Sequence, residues 1–416
     1  MKRRQENIQK LKTDTFDVLI IGGGMNGAVC AAALAARGAR VALIDARDFA
    51  GFTSQYSSNL IWGGIKYMES YEFRLVNNLC KSRNELLRSF PSTVTEIRFL
   101  STLSKKTRIP AWLMFIGTWI YWFFGRGQTR TPCVYSASEI KNEEPLINVD
   151  DSRGGVEYSD AYLQDNDARF VFNFVRSAMD KGCVAANYVE SVNGSYDSQN
   201  HWVSVAKDKI GGEQFEIRAK VMINAAGAFV DRLNGITRVE TEYQHIFSKG
   251  IHLIVPRLAR QKRVLAFFAD DGRLFFAIPM ANRTCIGTTD TPVEDPETEV
   301  TEEDRDFVLS NINARLDLSK PLEASDIISE RCGVRPLVLK KGQKSKDDFL
   351  QMSRKHIVET SEEKRHISIF GGKLTDCLNV GEEICEEVSK LGVNLNPVET
   401  KWYGEPGTHI KSTYYK

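Results

Sequence analysis

Residues 16–45 read FDVLIIGGGMNGAVCAAALAARGARVALID, and this stretch decides the fold of the chain. The apolar run 18–21 predicts a short buried strand, the alanine-rich segment 28–37 predicts a helix, and 41–44 predicts a second strand. A strand, a helix and a strand in this order form a βαβ unit. The unit therefore indicates an α/β protein with a parallel sheet.

The glycines between the first strand and the helix indicate a binding function. Gly22, Gly24 and Gly27 have G-x-G-x-x-G spacing, and Asp45 closes the second strand about 20 residues later. Such glycines allow a tight turn and let the backbone approach a pyrophosphate that the helix N-terminus faces. An acid at the end of the second strand accepts a hydrogen bond from a ribose hydroxyl. This unit predicts a dinucleotide site and leaves NAD and FAD both open.

The composition is that of a globular protein with room for two domains. The chain has 416 residues, of which 42% are hydrophobic and 26% are charged. Lys and Arg total 55 against 54 for Asp and Glu, and this balance argues against nucleic-acid binding. The eight cysteines include no C-x-x-C pair, so they predict buried thiols in a reducing compartment rather than disulfides or a metal site.

Two segments bear on cellular location. The first 14 residues, MKRRQENIQKLKTD, are basic without the apolar core of a secretory signal, and they predict a flexible lead-in to a cytoplasmic protein. The most hydrophobic stretch, 109–124 (IPAWLMFIGTWIYWFF), is shorter than the ~20 residues of a spanning helix. It is flanked by cations: Lys105, Lys106, Arg108, Arg126 and Arg130.

Two interpretations of 109–124 remain open. One is a buried helix in the part of the protein that binds substrate. The other is an element lying in the membrane interface, where Trp, Tyr and flanking cations are favoured. The second interpretation places the protein peripherally on the cytoplasmic face of the membrane.

Beyond residue 45, helical patterns occur at both ends of the chain and strands dominate between them. Helices are predicted near 71–87, 165–181, 301–316 and 377–391, with Thr301 and Asp304 as a capping box. Strands are predicted near 188–192, 202–206, 215–219, 221–227, 251–255, 264–268, 274–278, 284–287 and 366–370.

A second glycine turn, 371–372, lies between the last strand and the last helix. Its N–H groups and the helix dipole can hold another polar edge of an extended cofactor, although such a turn taken alone is as often a simple cap. Two glycine elements hundreds of residues apart suit a long buried flavin better than an exchangeable nicotinamide nucleotide. The pair therefore predicts FAD.

These patterns predict a discontinuous FAD-binding Rossmann-like (βαβ) domain with an inserted β-rich α+β substrate domain. The FAD-binding domain is predicted over 14–95, 165–240 and 330–395, and the substrate domain over 96–164 and 241–329. Residues 396–416 predict a loosely held tail.

Oxidation of an alcohol by a flavin needs a base for the hydroxyl proton and groups that fix the substrate. His252, in a predicted strand, is the best-placed histidine, although a buried sheet histidine without a catalytic role remains open. Arg335 stands in an apolar run and needs a partner, which is either an anionic substrate or a buried carboxylate. Lys66 and Lys373 lie beside glycine turns and are either substrate ligands or solvated cations.

At these residues the chain resembles the FAD-dependent glycerol-3-phosphate dehydrogenases, which have a D-amino-acid-oxidase-like two-domain fold. The resemblance runs from residue 17 to about 391. It rests on IIGGGMNGA, FTSQYSSNLIWGGIKYMESYEFRLV, PAWLMFIG, EYSDAYLQDNDAR, KGIHLIVP, IGTTD, GVRPL and FGGKLT.

The resemblance implies FAD-dependent oxidation of glycerol 3-phosphate to dihydroxyacetone phosphate by hydride transfer to flavin N5, with electrons passed to a quinone at a membrane. By matching position it implies His252, Arg335 and Lys373 as catalytic and Lys66, Tyr67, His252 and Arg335 as substrate-binding. It also implies an FAD site of Gly22, Gly24, Gly27, Asp45, Thr53, Ser54, Ser57, Ser58, Gly227, Gly371, Gly372, Lys373, Leu374 and Thr375.

Several positions depart from the family pattern. Where relatives have S-S-K-L-I-H-G-G-L-R-Y-L, this chain has Asn59 for the lysine, Trp62 for the histidine and Lys66 for the arginine. Lysine lacks the planar two-pronged donor that arginine offers a phosphate. Asp376 replaces a threonine, and the C-terminal helical domain of many members has no counterpart before Lys416. These departures keep two alternatives open: oxidation of a different hydroxylated or amine substrate, or a flavin-binding paralogue with impaired turnover.

Overall fold

Two β-sheets organise the residues that the computed structural model describes, which are 2–104, 110–269, 272–343 and 356–405. With strands numbered along the chain, the first sheet contains β1 (Thr15–Ile21), β2 (Val41–Asp45), β7 (Val184–Asn187), β8 (Val189–Tyr196), β9 (Trp202–Asp208), β10 (Gln214–Asn224), β17 (Ile357–Ser361) and β18 (His366–Phe370). The second contains β3 (Leu60–Ile61), β4 (Val94–Ser104), β5 (Cys133–Tyr135), β6 (Ser152–Leu163), β11 (Tyr243–Pro256), β12 (Arg263–Phe268), β13 (Leu274–Met280), β14 (Arg283–Gly287), β15 (Thr291–Val293) and β16 (Ser329–Lys340). The helices are α1 (Lys2–Thr13), α2 (Met25–Ala36), α3 (Phe73–Ser89), α4 (Ala111–Phe124), α5 (Ala137–Glu143), α6 (Asp167–Asp180), α7 (Val230–Thr237), α8 (Glu302–Arg315) and α9 (Cys377–Lys390).

The first sheet has a parallel centre built on the predicted βαβ unit. Its strand order is β17-β18-β10-β1-β2-β7, in which β18, β10, β1, β2 and β7 run parallel to one another and β17 runs antiparallel to β18. The hairpin of β8 and β9 joins β10 in antiparallel pairing. The carboxyl ends of β1, β2, β10 and β18 therefore meet at one edge, where open α/β sheets bind their ligands.

Burial on both faces of this sheet explains the apolar run in β1. Val18 and Ile20 pack in one core with α2, α6 and α9. Leu19 and Ile21 pack in another core with α1, α7 and the hairpin of β8 and β9. A strand covered on both faces reads as a continuous hydrophobic run rather than an alternating one. The α/β fold class predicted from the sequence is confirmed.

The second sheet is mainly antiparallel, with order β15-β11-β14-β13-β12-β4-β6-β3, and only β12 with β4 is parallel among its described pairs. The strands predicted near 251–255, 264–268, 274–278 and 284–287 are confirmed as parts of β11 to β14. The predicted capping box of α8 is also confirmed, because Thr301 Oγ1 accepts from Asp304 N–H while the Asp304 carboxylate accepts from Thr301 N–H.

Strand β16 differs from the predicted division of the chain. The prediction assigned 330–395 to the FAD-binding domain, yet β16 pairs with β11 from Tyr243↔Lys340 to Ile254↔Ser329 and lies in the second sheet. Twelve paired residues tie this strand to the sheet that carries His252. The other limits of the division stay a prediction.

The predicted flexible lead-in is wrong, because Lys2–Thr13 forms helix α1. Ile8 and Leu11 are buried in the core on one face of the first sheet. The Asn7 side-chain amide donates to Ala185 O at 2.8 Å, and Arg4 pairs with Asp208 at 2.6 Å. These contacts fix a short helix that its sequence alone does not mark, since packing rather than propensity stabilises it.

The predicted loose tail is also wrong for 396–405. Trp402 is 3% exposed in the core beside α9, and its indole N–H donates to Glu382 at 2.5 Å. Asn396 N–H donates to Arg37 O at 2.9 Å. Residues 406–416 of that predicted tail lie outside the described residues.

Helix α4 exposes an apolar face. Its exposed side chains recur at helical spacing and are Trp112, Leu113, Ile116, Trp119, Ile120 and Phe123. Tyr121, on the opposite side, is 1% exposed and donates to Asp160 at 2.8 Å. The buried-helix interpretation of 109–124 is therefore wrong for this face. The flanking cations Lys105, Lys106 and Arg108 lie outside the described residues. Among the residues that the structure describes, no helix has the length and hydrophobicity to cross a membrane.

Candidate active site

A cavity of about 300 Å³ lies at the carboxyl ends of β1, β2 and β10. Predicted residues that line it are Gly22, Gly24, Asp45, Thr53, Ser54 and Gly227. Gly22 has φ of 107°, and a Cβ there would stand 2.4 Å from Ala225 O. A Cβ on Gly27 would stand 1.8 Å from Gly22 O. Both glycines are therefore required by the close approach of the loop, the helix and β10.

Asp45 and Ser54 fix the shape of this loop. Asp45 accepts from Gly23 N–H at 2.6 Å through one oxygen and from Arg47 N–H at 2.7 Å through the other. Burial raises the pKa of Asp45 despite these bonds. Ser54 Oγ accepts from Met25 N–H, the first of α2, at 3.0 Å. The acid predicted to hold a ribose thus also orders the glycine loop beside the cavity.

The structure joins the two glycine elements that the sequence separates. Asn26, in the first turn of α2, donates to Gly371 O at 3.0 Å. Gly371 N–H donates to His245 Nε2 at 3.1 Å, and His245 Nδ1 lies 3.0 Å from Asp231. Since Nε2 accepts, the proton of a neutral His245 is on Nδ1 and is donated to Asp231. Hydrogen bonds therefore connect the helix that follows the first glycine loop with the second glycine turn.

Lys373 follows this second turn and faces an aromatic ring. Its Nζ lies 4.0 Å from the centroid of Tyr67, in a cation–π arrangement. The Tyr67 ring lies 6.1 Å from that of Trp62, and Thr375 Oγ1 donates to Trp62 O at 3.0 Å. The predicted residues Tyr67, Lys373 and Thr375 therefore lie close to Trp62, which stands where the family pattern has a histidine.

His252 lies on β11 of the second sheet and is 4% exposed. Its Nδ1 is buried and has no hydrogen-bond partner among the residues described. Burial, with Arg335 and Arg331 nearby, lowers the pKa of His252 to about 3. The imidazole is therefore neutral near pH 7 and has an open nitrogen, as a proton acceptor requires.

Arg335, on neighbouring β16, lies across Gly250, where a Cβ would stand 2.2 Å from its Nη2. Its guanidinium donates to Thr289 O at 3.1 Å and to Thr288 Oγ1 at 2.8 Å. Asp290 lies 3.5 Å away, so a carboxylate partner is present. The charge of Arg335 is therefore partly compensated within the protein, and its role toward an anionic substrate stays a prediction.

Three of the remaining predicted site residues, Thr53, Ser57 and Gly372, contact β16, α6 and α2 respectively. Thr53 Oγ1 donates to Val334 O at 2.9 Å, and Ser57 N–H donates to Asp167 at 2.8 Å. Ser58 and Leu374 are half-buried, and Gly372 lies against Asn26, where a Cβ would stand 2.9 Å from its Oδ1. Lys66 lies on the same turn as Tyr67 and opposes the rise that burial causes in the pKa of Glu69.

The sequence matches a known family over most of its length. The sequence pattern of the family described as "DAO: FAD dependent oxidoreductase" matches residues 17–370. The chain belongs to the FAD dependent oxidoreductase family. Its cofactor is FAD, and it is an oxidoreductase.

Individual relatives are similar to this flavoprotein along nearly its whole length. The aerobic glycerol-3-phosphate dehydrogenases of Staphylococcus saprophyticus and Staphylococcus aureus are 32% and 31% identical over 412 residues, which cover 96% of this chain and 72% of theirs. The crystal structure of glycerol-3-phosphate dehydrogenase from Bacillus halodurans complexed with FAD has a TM-score of 0.76 at 28% identity, covering 96% of this chain and 69% of that one. L-alpha-glycerophosphate oxidase from Mycoplasma pneumoniae has a TM-score of 0.69 at 16% identity, covering 94% and 98%, which shows the shared fold.

The residues of the flavoprotein fit the ADP part of FAD. The cavity has a floor of glycines, an acid at the end of β2 and a helix N-terminus directed toward it. Gly227, on its β10 side, has φ of 59° and open space where a Cβ would point. A side chain there would fill that open space.

Sequence reasoning missed several residues of the flavoprotein site. Asn26, His245, Asp167 and Arg331 contact predicted residues through bonds that cross long stretches of chain. Arg47 was missed too, and its guanidinium lies 4.7 Å from the Phe52 ring, beside the cavity. No motif marks these positions, and contacts between parts of the chain that are distant in sequence reveal most of them.

Asp376, which stands where the family pattern has a threonine, forms a hydrogen bond with a histidine. It lies 2.6 Å from His356 Nδ1, while Glu383 lies 2.7 Å from Nε2 of the same ring. Hydrogen bonds to both carboxylates outweigh burial and raise the pKa of His356 to about 9. The carboxylate that replaces the family threonine is thus engaged by a protonated histidine next to the second glycine turn.

Proposed function

We propose that this flavoprotein oxidises glycerol 3-phosphate to dihydroxyacetone phosphate. The observation that carries the proposal is a neutral, buried histidine with an open nitrogen, His252, beside two arginines at the FAD-binding fold. The names of the most similar relatives support the same substrate. When bound, FAD supplies the isoalloxazine that accepts a hydride from the substrate carbon.

In this proposal His252 takes the proton of the substrate hydroxyl. A base with a pKa of about 3 is weak, and burial is the largest cause of that low value, but the charges of Arg335 and Arg331 lower it further. A phosphate dianion bound at Arg335 offsets part of this positive charge and raises the pKa of His252. Binding of an anionic substrate thereby strengthens the base that reacts with it, which an uncharged alcohol does not do.

The cations near the site hold the phosphate in this proposal. Arg335 offers a planar donor set, and its contact with Asp290 orients it before the substrate arrives. Lys66 and Lys373 are the further cations that we propose as phosphate ligands. The Lys373 ammonium lies over the Tyr67 ring. A lysine in place of the family arginine at position 66 binds phosphate with less directional preference.

The substrate class is tested by comparing two compounds that differ by one phosphate group. Under anaerobic conditions we expect glycerol 3-phosphate to bleach the bound flavin within seconds and glycerol to leave it oxidised. Because the two compounds share the glycerol part, the comparison isolates the contribution of the phosphate group to flavin reduction. Bleaching by glycerol or by a small amine instead would favour the alternative substrates, and a flavin inert to the whole panel would favour the impaired paralogue.

We propose further that α4 places the enzyme on the cytoplasmic face of a membrane, where a quinone accepts the electrons. The exposed face of α4 presents two tryptophans, and Trp112 and Phe123 are 64% and 74% exposed. Aromatic and aliphatic side chains on one face of a short helix suit the interface between headgroups and acyl chains. A membrane-bound quinone would then meet the enzyme at the same surface.

The double substitution Trp112→Glu with Phe123→Glu is expected to lower binding to phosphatidylglycerol vesicles by at least about tenfold, because each buried apolar side chain contributes roughly 1.5–3 kcal/mol. Cosedimentation measures the binding. Ile210→Glu, which charges an equally exposed apolar residue elsewhere, is the control and leaves binding unchanged. Equal vesicle binding by the double variant and the wild type would rule out α4 as the anchor.

A further inference from the structure

Arg331 connects the second sheet to the segment 57–59, which follows Thr53 and Ser54 of the predicted FAD site. Its Nη1 donates to Ser57 O at 2.7 Å and to Asn59 Oδ1 at 2.9 Å. On β16 it stands directly opposite His252 of β11, so the two side chains share a face of the sheet. One guanidinium therefore contacts the predicted FAD-facing segment and lies beside the candidate base.

The segment that Arg331 contacts is held from several directions. Asn59 is fully buried with φ of 59°, and its side-chain amide donates to Asp165 O at 2.8 Å. Ser57 N–H donates to Asp167, a fully buried carboxylate. Burial raises the pKa of Asp167, and the charge of Arg331 opposes that rise. A buried carboxylate at this place requires a nearby positive charge.

Arg331 brings a positive charge to the Asp167 carboxylate from β16. Asn59 is neutral, and its side-chain oxygen accepts from Arg331. A lysine at 59 beside Arg331 would bring two cations close together, which is unfavourable, whereas a lysine at 59 without Arg331 would still bring one positive charge to the segment.

We propose that Arg331 supplies from β16 the positive charge that the buried Asp167 requires, and that through its bonds to Ser57 and Asn59 it positions the segment 57–59 at the FAD site. The inference rests on the FAD site and the fold, and deepens the proposed function by assigning a positioning residue. Arg331 acts through Ser57, Asn59 and Asp167, and it has no reacting atom of its own.

A charge exchange tests this assignment. Arg331→Met removes the charge, Asn59→Lys adds a second one, and the double variant moves the charge from β16 to the segment. We measure the FAD dissociation constant by flavin fluorescence and the melting temperature of each protein. Each single variant is expected to weaken FAD binding at least tenfold, and the double variant is expected to return to within about threefold of the wild type.

The control is Arg331→Met combined with Asn59→Leu, which fills the same space without a charge and is expected to give no recovery. A double variant Arg331→Met, Asn59→Lys that binds FAD as weakly as the two losses combined, or that does not fold, would overturn the proposal. Single variants with wild-type affinity and melting temperature would overturn it as well. Because FAD affinity needs no substrate, these outcomes are independent of whether glycerol 3-phosphate is oxidised.

Discussion

Gly27→Ala is expected to yield a protein without bound FAD. A Cβ at this position would stand 1.8 Å from Gly22 O and 3.3 Å from Ile20 Cγ2. Neither the backbone carbonyl nor the strand beneath it can withdraw, so helix α2 must move away from β1. The loop that lines the cavity then loses the close approach to the pyrophosphate that its glycines allow.

We expect the FAD dissociation constant of Gly27→Ala to rise by about 100-fold or more, which corresponds to roughly 2.7 kcal/mol. Flavin fluorescence measures the constant, and circular dichroism monitors the fold. The control is Gly235→Ala in α7, where a Cβ has open space and the substitution improves helix propensity. A Gly27→Ala protein that retains stoichiometric FAD would contradict the assignment of this loop.

His252→Asn is expected to slow reduction of the bound flavin by glycerol 3-phosphate by about 10²–10⁴-fold, the usual contribution of a positioned general base. Asparagine keeps a polar side chain of similar size but cannot accept the hydroxyl proton. FAD remains bound, because His252 lies on the second sheet and not among the residues that line the described cavity. Anaerobic stopped-flow absorbance measures the rate.

The matched control is His366→Asn. His366 is also buried, and burial likewise lowers its pKa to about 3, but it begins β18 at the end of the strand away from the second glycine turn. We expect this control to lower stability without changing the rate of flavin reduction. Equal slowing by both variants, or no slowing by His252→Asn, would return His252 to the role of a packed sheet residue.

The fold was predictable where local pattern determines structure. The βαβ unit, the strands of β11 to β14 and the capping box of α8 all carry their signal within a few adjacent residues. Helix α1 and the segment around Trp402 do not, since their few apolar residues become informative only against a formed core. Tertiary packing therefore ordered both termini of the described chain beyond what the sequence indicated.

Positioning contacts of the site were not predictable for a related reason. Asn26 and Gly371 are 345 residues apart, and Arg331 and Asn59 are 272 apart. Such bonds arise from the order of strands in a sheet, which a single sequence does not specify. The glycines and Asp45 could be named because one local motif contains them. The prediction for Arg335 left open a substrate anion or a buried carboxylate, and the structure shows Asp290 beside it.

Asn59 and Trp62, which depart from the family pattern, are both hydrogen-bonded in the structure. Trp62 Nε1 donates to Tyr158 OH at 3.4 Å, and its carbonyl accepts from Thr375. The indole of Trp62 thus has a partner on β6, and its backbone carbonyl has one beside the second glycine turn. Asn59 is likewise bonded on both sides of its amide. Both altered residues are therefore held by hydrogen bonds to neighbouring parts of the chain.

The most direct test of the central claim is an anaerobic titration of the holoenzyme with glycerol 3-phosphate. We expect one equivalent of substrate to reduce one equivalent of bound FAD, with one equivalent of dihydroxyacetone phosphate formed, because a hydride carries both electrons. Flavin absorbance and an enzymatic assay of the ketone measure the two quantities. Bound FAD that stays oxidised in excess glycerol 3-phosphate, with no ketone formed, would contradict the account.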